Sequence, residues 1–245
     1  MVDPDLFTIV VALDAAHLPE FRMVLPTWLR HKPELAKCRW LFVCDSIFAT
    51  NRPWWLELQS IMEGISYTVI EWSQLPDKPQ RERMLTALVH AAEHVETPYY
   101  IKIDTDAVAT SCPNWIEWRW LGSVPAIIAP PWGYTKPASM LDDLDTWSRY
   151  IGLDGPKIKR KPGERNKAFH RRVISYVMIG STQRTKEIIK LLNGSIELPV
   201  PSQDTFLFYC AARLQMPIVY ARFPGWKHVG GGGSRLFGVV QEAMK

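Results

Sequence analysis

The chain has 245 residues, of which 47% are hydrophobic and 22% are charged. This composition excludes general disorder, and a chain of this length can bury a large core without disulfides or structural zinc. The net charge is only +4, and the four cysteines form no Cys-x-x-Cys pair, so we expect free thiols in a reducing compartment rather than a zinc site. No apolar run is long enough to form a transmembrane segment, and the acidic start lacks the basic region of a secretory signal, so we expect a cytoplasmic protein.

The first half of the chain alternates apolar runs with helical patterns. Runs rich in β-branched and aromatic residues predict buried strands, and apolar stripes at helical spacing predict amphipathic helices. The predicted strands are 7–13, 40–44, 67–72 and 99–103, and the predicted helices are 18–31 and 81–94. Strands that alternate with helices indicate an α/β fold with a mostly parallel sheet and right-handed crossovers.

The second half of the chain is less regular. It contains predicted strands at 126–129, 173–179 and 217–220, predicted helices at 181–192 and 203–214, a loop-like stretch at 133–172 and four glycines at 230–233. One α/β domain is the common outcome at this length, so we expect a single domain over residues 1–245.

The triplet Asp104-Thr105-Asp106 is the strongest chemical signal in the sequence. It directly follows the predicted strand 99–103, and Asp14 and Asp45 likewise follow earlier strands. Because ligands of parallel sheets bind beyond the carboxyl ends of the strands, we expect these side chains to converge on one crevice. Two carboxylates two residues apart suit Mg²⁺ or Mn²⁺, although a solvated turn is the simpler alternative.

Several short motifs together resemble the nucleotide-sugar glycosyltransferases of the GT-A fold, most of all the large inverting family 2. The resemblance covers most of the chain in the order of its elements, but only short stretches in residues. They are the opening strand at 8–13, Val43-Cys44-Asp45-Ser46 where the family has Val-Asp-Asp-Gly-Ser, Arg83 before a helix, the Asp-x-Asp triplet, the strand 175–180, Gln203-Asp204 where the family has Glu-Asp, and the late His228. The family usually has Arg-Asn where this chain has Arg83-Met84, so Arg81 and Arg83 are interchangeable candidates.

The resemblance implies a GT-A, Rossmann-like fold with a mixed, mostly parallel sheet flanked by helices. It implies an enzyme that moves a hexosyl or pentosyl group from a UDP- or GDP-sugar to a hydroxyl acceptor, with Mn²⁺ or Mg²⁺ as cofactor. Asp104, Asp106 and His228 would bind the metal, and Asp204 would be the general base of an inverting reaction. A surface histidine and a first-turn helix carboxylate are the ordinary alternatives for the last two.

The resemblance also divides the chain into a nucleotide-sugar-binding half, 1–110, and an acceptor-binding half, 111–245. The glycines at 230–233 would act as the hinge of a lid, or form a plain linker. The residues expected to contact the nucleotide sugar are Leu13, Asp14, Asp45, Arg81, Arg83, Thr105 and Gly180.

A basic segment at 157–172 is the second informative feature. It holds eight Lys and Arg against one Glu, for +7, so the rest of the chain sums to −3. Clustered cations bind polyanions by releasing counterions, so a phosphate-rich acceptor such as hydroxymethylated DNA is one interpretation and a solvated loop is the other. The candidate acceptor-binding residues are Trp132, Lys159, Arg160, Lys161 and Gln203.

The tryptophans at 115, 118, 120 and 132 follow the triplet. The spacing of Trp115 and Trp118 fits one face of a core helix, and we expect core packing for most of the four, with stacking on sugars or bases as the alternative.

Three other functions compete with the glycosyltransferase interpretation. A haloacid-dehalogenase-type phosphatase would use Asp104 and Asp106 in its Asp-x-Asp-x-[Thr/Val] motif, but that motif normally opens the chain. A non-catalytic nucleic-acid-binding protein would explain the basic segment and leave the strand-end carboxylates unexplained. A sugar-nucleotide pyrophosphorylase shares the fold, but the Gly-rich opening loop with its Arg and Lys is missing.

Overall fold

The computed structural model describes residues 2–45, 51–72, 91–111, 114–132, 172–173, 176–191, 207, 210–211, 214–230 and 233–245. Within these residues the strands are β1 (Phe7–Leu13), β2 (Arg39–Asp45), β3 (Tyr67–Trp72), β4 (Tyr99–Ile103), β5 (Ala107–Ala109), β6 (Ile127–Ala129), β7 (Pro131–Trp132), β8 (Arg172–Val173), β9 (Val177–Ser181), β10 (Ile218–Tyr220) and β11 (Trp226–His228). The α-helices are α1 (Leu18–His31), α2 (Arg52–Ile61), α3 (Thr182–Leu191) and α4 (Ser234–Ala243), and two 3-10 helices span Pro33–Lys37 and Trp118–Ser123.

The main sheet has seven strands in the order β10-β6-β9-β4-β1-β2-β3. Strand β1 pairs in parallel with β2 and with β4, and β2 pairs in parallel with β3. The carboxyl ends of these strands therefore lie at one edge of the sheet, where the sequence predicted that the polar strand endings would meet. Strand β9 runs antiparallel to both β4 and β6, which makes the sheet mixed.

The core forms where helix α1 covers the parallel half of the sheet. Phe7, Ile9 and Val11 of β1 are buried, as are Phe21 and Trp28 of α1. The apolar run of β1 suits a strand that is covered on both faces, and Pro in the first turn of α1 costs no helical hydrogen bond. The indole N–H of Trp28 also donates to the carbonyl oxygen of Ala107 at 2.6 Å, which ties α1 to β5.

A second, two-stranded sheet joins two distant parts of the chain. Strand β5 directly follows the acidic triplet and pairs antiparallel with β11, with Ala107 opposite His228. The backbone N–H of Val229 donates to the carbonyl oxygen of Asp106 at 3.2 Å, so the pairing continues to the triplet itself.

Most elements predicted in the parallel half are confirmed, and the second half required corrections. The strand predicted at 173–179 is instead two strands, β8 and β9. Strand β8 pairs with β7 and includes Arg172, the last residue of the predicted loop-like stretch. Helices α2 and α4 and strands β5 and β11 were not predicted. Of the helices predicted at 81–94 and 203–214, the structure describes residues 91–94, 207, 210–211 and 214. All of these are helical except 214, which lies in a turn.

The expected helix face of Trp115 and Trp118 is wrong. The 3-10 helix begins only at Trp118, which is 46% exposed, whereas Trp115 is buried and contacts the rings of Phe223 and Trp226. In the described part of the chain, no helix has both the length and the apolar character needed to cross a membrane.

Candidate functional site

The acidic triplet forms a turn between β4 and β5. The backbone N–H of Asp104 donates to the carbonyl oxygen of Tyr176 at 2.8 Å, and that of Ala107 donates back to the carbonyl oxygen of Asp104 at 3.0 Å. The turn is thus held by its own chain and by the residue that precedes β9. This arrangement fixes both aspartates at the carboxyl edge of the sheet.

Asp106 and His228 form a direct pair across the small sheet. Nε2 of His228 lies 3.1 Å from Oδ2 of Asp106, and the ring of Tyr176 stacks on the imidazole at 5.1 Å. The hydrogen bond to Asp106 is the main cause that raises the pKa of His228. Burial is the largest influence on Asp106 and acts upward, but the hydrogen bond and charge of His228, together with the charge of Lys102, bring the pKa of Asp106 below its ordinary value.

The position of His228 depends on how β11 is anchored to the core. The ring of Trp226 lies against Trp28 and Trp115, with centroids 5.8 and 5.4 Å apart. The backbone N–H of Thr110 donates to the carbonyl oxygen of Gly225 at 2.8 Å. Gly225 has a φ of 74°, and a Cβ there would collide with Ser111, so glycine is required for this close approach. Aromatic packing thus holds the strand that carries His228.

Asp104 pairs with a lysine rather than with a histidine. Nζ of Lys102 lies 2.6 Å from Oδ1 of Asp104, and Lys102 is almost completely buried within β4. Residues two apart on a strand project to the same face, which brings the ammonium to the carboxylate. Asp104 thus contacts Lys102 and Asp106 contacts His228, although the charge of Lys102 also lowers the pKa of Asp106 and that of Asp104 also raises the pKa of His228.

A second group of ionisable residues lies on the loop after β1 and the first turn of α1. Oδ1 of Asp14 lies 2.6 Å from Nδ1 of His17 and accepts the backbone N–H of His17 at 2.9 Å. The hydrogen bond to Asp14 is the main cause that raises the pKa of His17, and the charges of Glu20 and Asp106 act in the same direction. Glu20 also accepts a hydrogen bond from the hydroxyl of Thr105 at 3.3 Å, so this loop adjoins the triplet.

The structure brings some of the predicted site residues together. Asp104, Thr105, Asp106 and His228 share one site, and Asp14 is linked to it through His17. Leu13 is buried at the end of β1. Gly180 is not at this edge, because it lies opposite Tyr100 near the amino end of β4.

Other predicted site residues cannot be placed in this site. Asp45 ends β2, and Trp132 lies in β7, but only their backbones are described. The remaining candidates lie outside the described residues: Arg81, Arg83, Lys159, Arg160, Lys161, Gln203 and Asp204.

The side chains at the triplet suit a divalent cation only in part. The described residues contain no group of three or more His, Cys, Asp and Glu side chains that could hold a metal ion, and Asp104 is directed to Lys102. A carboxylate beside an imidazole, as in Asp106 and His228, is nevertheless a donor pair that suits Mn²⁺. The chemistry of this pair fits the predicted metal.

Three residues of the site were not singled out from the sequence. Lys102 could have been found as the one charged residue in an apolar strand, two residues before Asp104. His17 follows a strand-end aspartate at a three-residue spacing, immediately before a helix. Tyr176 gave no local signal, because its stacking on His228 depends on the pairing of distant strands.

Solved structures of known proteins share the fold of this chain, although their sequences differ. No protein-family model and no curated protein matches the sequence. Core-mannan synthase A from Aspergillus fumigatus, solved in a Mn/GDP form, is 11% identical with a TM-score of 0.58, over 91% of this chain and 74% of that chain. The 4-diphosphocytidyl-2C-methyl-D-erythritol synthase from Anaerococcus prevotii is 8% identical with a TM-score of 0.57, over 99% and 100% of the two chains. The chain has the GT-A fold, as predicted.

Proposed function

We propose that the protein is a metal-dependent glycosyltransferase that moves a sugar from a nucleoside-diphosphate sugar to a hydroxyl acceptor. The observation that carries this proposal is the contact between Asp106 and His228, beside Asp104, at the carboxyl edge of a GT-A sheet. In open α/β sheets this edge is where ligands bind. The carboxylate and the imidazole that meet there suit the divalent cation that a diphosphate would require.

Acidic residues beside a diphosphate require a cation between them, because both groups are negatively charged. Asp106 and His228 would hold Mn²⁺ or Mg²⁺, which when bound neutralises the charge that develops on the leaving nucleoside diphosphate. The likeness to core-mannan synthase A in its Mn/GDP form supports a divalent cation and a nucleoside diphosphate as ligands of the site. His228 favours Mn²⁺ over Mg²⁺, because an imidazole suits the softer ion better.

The acceptor half of the reaction rests on residues known only from the sequence. Asp204 would remove the proton of the acceptor hydroxyl as it attacks the anomeric carbon, which inverts the configuration of the sugar. The basic segment 157–172 would bind a polyanionic acceptor, with DNA as one candidate.

A panel of UDP- and GDP-sugars with Mn²⁺ tests the reaction class. We expect one donor to release its nucleoside diphosphate, with the loss of that activity in excess chelator. A pyrophosphorylase would instead require pyrophosphate and form a nucleoside triphosphate. A phosphatase would release phosphate from simple phosphate esters, whereas a non-catalytic binding protein would turn over no donor. Formation of a nucleoside triphosphate or release of phosphate, without sugar transfer, would contradict the proposal, and so would the absence of turnover with every donor.

A further inference from the structure

The charged side chains around the triplet make two described contacts. Asp106 contacts His228, whereas Asp104 contacts the ammonium of Lys102 at 2.6 Å. Lys102 lies in the centre of the sheet, opposite Met178 of β9 on one side and Val10 of β1 on the other. Because strands pair with β4 on both sides, the backbone of Lys102 is fixed. The ion pair with Asp104 holds the ammonium of Lys102 beside the site.

We propose that the ammonium of Lys102 acts as a counter-cation, which weakens the binding of a divalent metal when no nucleotide is bound. Metal binding would then depend on the nucleoside diphosphate. The inference rests on the proposed function, from which it takes the metal and the diphosphate as ligands. Lys102 would act through Asp104 and through the local charge, so it is a positioning residue rather than a catalytic one.

The charge balance gives the physical reason. The ammonium offsets one of the two carboxylate charges of the triplet. A cation that arrives without nucleotide therefore meets less negative charge than the triplet and the neighbouring Glu20 would present without Lys102. Lys102 is only 4% exposed, and water therefore screens its repulsion of a nearby cation poorly. A nucleoside diphosphate supplies additional negative charge at the same edge. The metal and the nucleotide should thus strengthen each other's binding, and the coupling must be the same in both directions.

The alternative is that Lys102 only stabilises the fold by pairing with Asp104. A buried ammonium that loses a buried partner is costly, so both roles predict some loss of stability on substitution. Only the counter-cation role predicts that metal affinity rises when the ammonium is removed. The affinity for Mn²⁺ without nucleotide is therefore the informative measurement, and it does not require turnover.

The experiment titrates Mn²⁺ into the full chain with and without UDP or GDP. Protein-bound Mn²⁺ is measured separately from Mn²⁺ that is bound by free nucleotide. The variant Lys102→Met keeps the length of the side chain and removes its charge. We expect it to bind Mn²⁺ without nucleotide roughly tenfold more tightly than wild type, or more, and to gain less from the nucleotide. Lys190→Met, which removes an exposed lysine of α3, is the matched control and should leave both affinities unchanged.

Unchanged or weaker Mn²⁺ binding by folded Lys102→Met overturns the inference. Should that variant fail to fold, wild type still decides, because equal Mn²⁺ affinity with and without nucleotide contradicts the coupling. Lys102→Arg keeps the charge and should retain wild-type coupling. A wild-type protein that binds neither Mn²⁺ nor nucleotide, alone or together, would contradict the proposed function itself, whereas uncoupled binding of both would contradict only the role of Lys102.

Discussion

The two ends of strand β4 are built from different chemistry. At the amino end, the hydroxyls of Thr8 and Thr97 lie 2.7 Å apart, and the hydroxyl of Thr182 donates to the carbonyl oxygen of Thr97 at 2.7 Å. The hydroxyls of Tyr100 and Thr185 lie 3.0 Å apart, and burial raises the pKa of Tyr100 to about 12. These groups are buried, neutral and hydrogen-bonded to each other.

The carboxyl end of the same strand carries charges instead. Lys102 lies in β4 and Asp104 and Asp106 lie in the turn that follows it. His228 lies in β11, which pairs with β5. Burying charged groups costs more free energy than burying hydroxyls, even when the charges are paired. Neutral hydrogen bonds would hold the strand equally well, so the charges indicate a function. Substitutions at the carboxyl end should therefore change ligand binding and turnover, and those at the amino end should change stability.

The largest effect is expected from Asp106→Asn at the carboxyl end. The amide keeps the shape of the side chain but loses the charge that would hold the cation, so we expect turnover of the sugar donor to fall by at least about a hundredfold. Thermal unfolding should show that the fold persists. Steady-state kinetics with Mn²⁺ measures the loss.

The matched control for Asp106→Asn is Glu96→Gln. Glu96 lies before the amino end of β4 and forms an exposed ion pair with Arg39, with 81% of its side chain accessible. Such pairs contribute little, so both activity and stability should stay near wild type. Full activity of Asp106→Asn in excess chelator would remove the metal from the proposed mechanism.

An intermediate effect is expected from Gly180→Ala near the amino end. A Cβ at Gly180 would overlap the ring of Tyr100, which is buried and bonded to Thr185 and cannot easily move. Overpacking of this kind should lower the free energy of unfolding by about 1–3 kcal/mol. Urea denaturation measures it.

Gly238→Ala provides the opposite control for this substitution. A Cβ at Gly238, in the middle of α4, meets no atom within 4 Å. Alanine favours the helix over glycine, so this variant should gain about 0.5–1 kcal/mol. If Gly180→Ala kept wild-type stability and only weakened donor binding, the predicted sugar contact of Gly180 would be preferred to its packing role.

The parallel half of the fold could be predicted because its signals are local. An apolar run such as Phe7–Leu13 is buried on both faces, and that requirement is visible in the residues themselves. The acidic triplet could be placed at the carboxyl edge by the same reasoning. Strands β1, β2 and β3 lie side by side in chain order, as the preference for adjacent sequential strands favours, whereas β4 lies on the other side of β1.

The rest of the site could not be predicted because it depends on distant pairing. Strand β11 has only three residues, Trp-Lys-His, which are too few to show a period of two. Its pairing with β5 brings His228 to Asp106, and only the resemblance to a family suggested this position. The partner of Asp104 was missed for another reason, since a lysine in a strand is usually assigned to a solvent-exposed face.

The smallest effect concerns the pair of Asp14 and His17 beside the site, and it depends on pH. Folding raises the pKa of His17 above 6.5 and lowers that of Asp14 below 3.8. The contribution of His17 to the free energy of unfolding is therefore complete below about pH 6.5, and it is lost as the pH rises through the raised pKa of His17. The contribution of Asp14 is lost as the pH falls through the lowered pKa of Asp14. Both side chains are more than a third exposed, so solvent screening limits the pair to less than about 1 kcal/mol.

The variant His17→Gln tests this sign, with urea denaturation of the metal-free protein between about pH 5 and pH 9. The stability difference between wild type and His17→Gln should be largest at the acidic end of this range and should shrink toward the alkaline end, because deprotonated His17 loses its charge attraction to Asp14. The matched control is the same substitution in an Asp14→Asn background. The charges of Glu20 and Asp106 remain there, so a smaller pH dependence of the same sign should persist. A difference that grows with rising pH would show that the Asp14–His17 contact does not form as described.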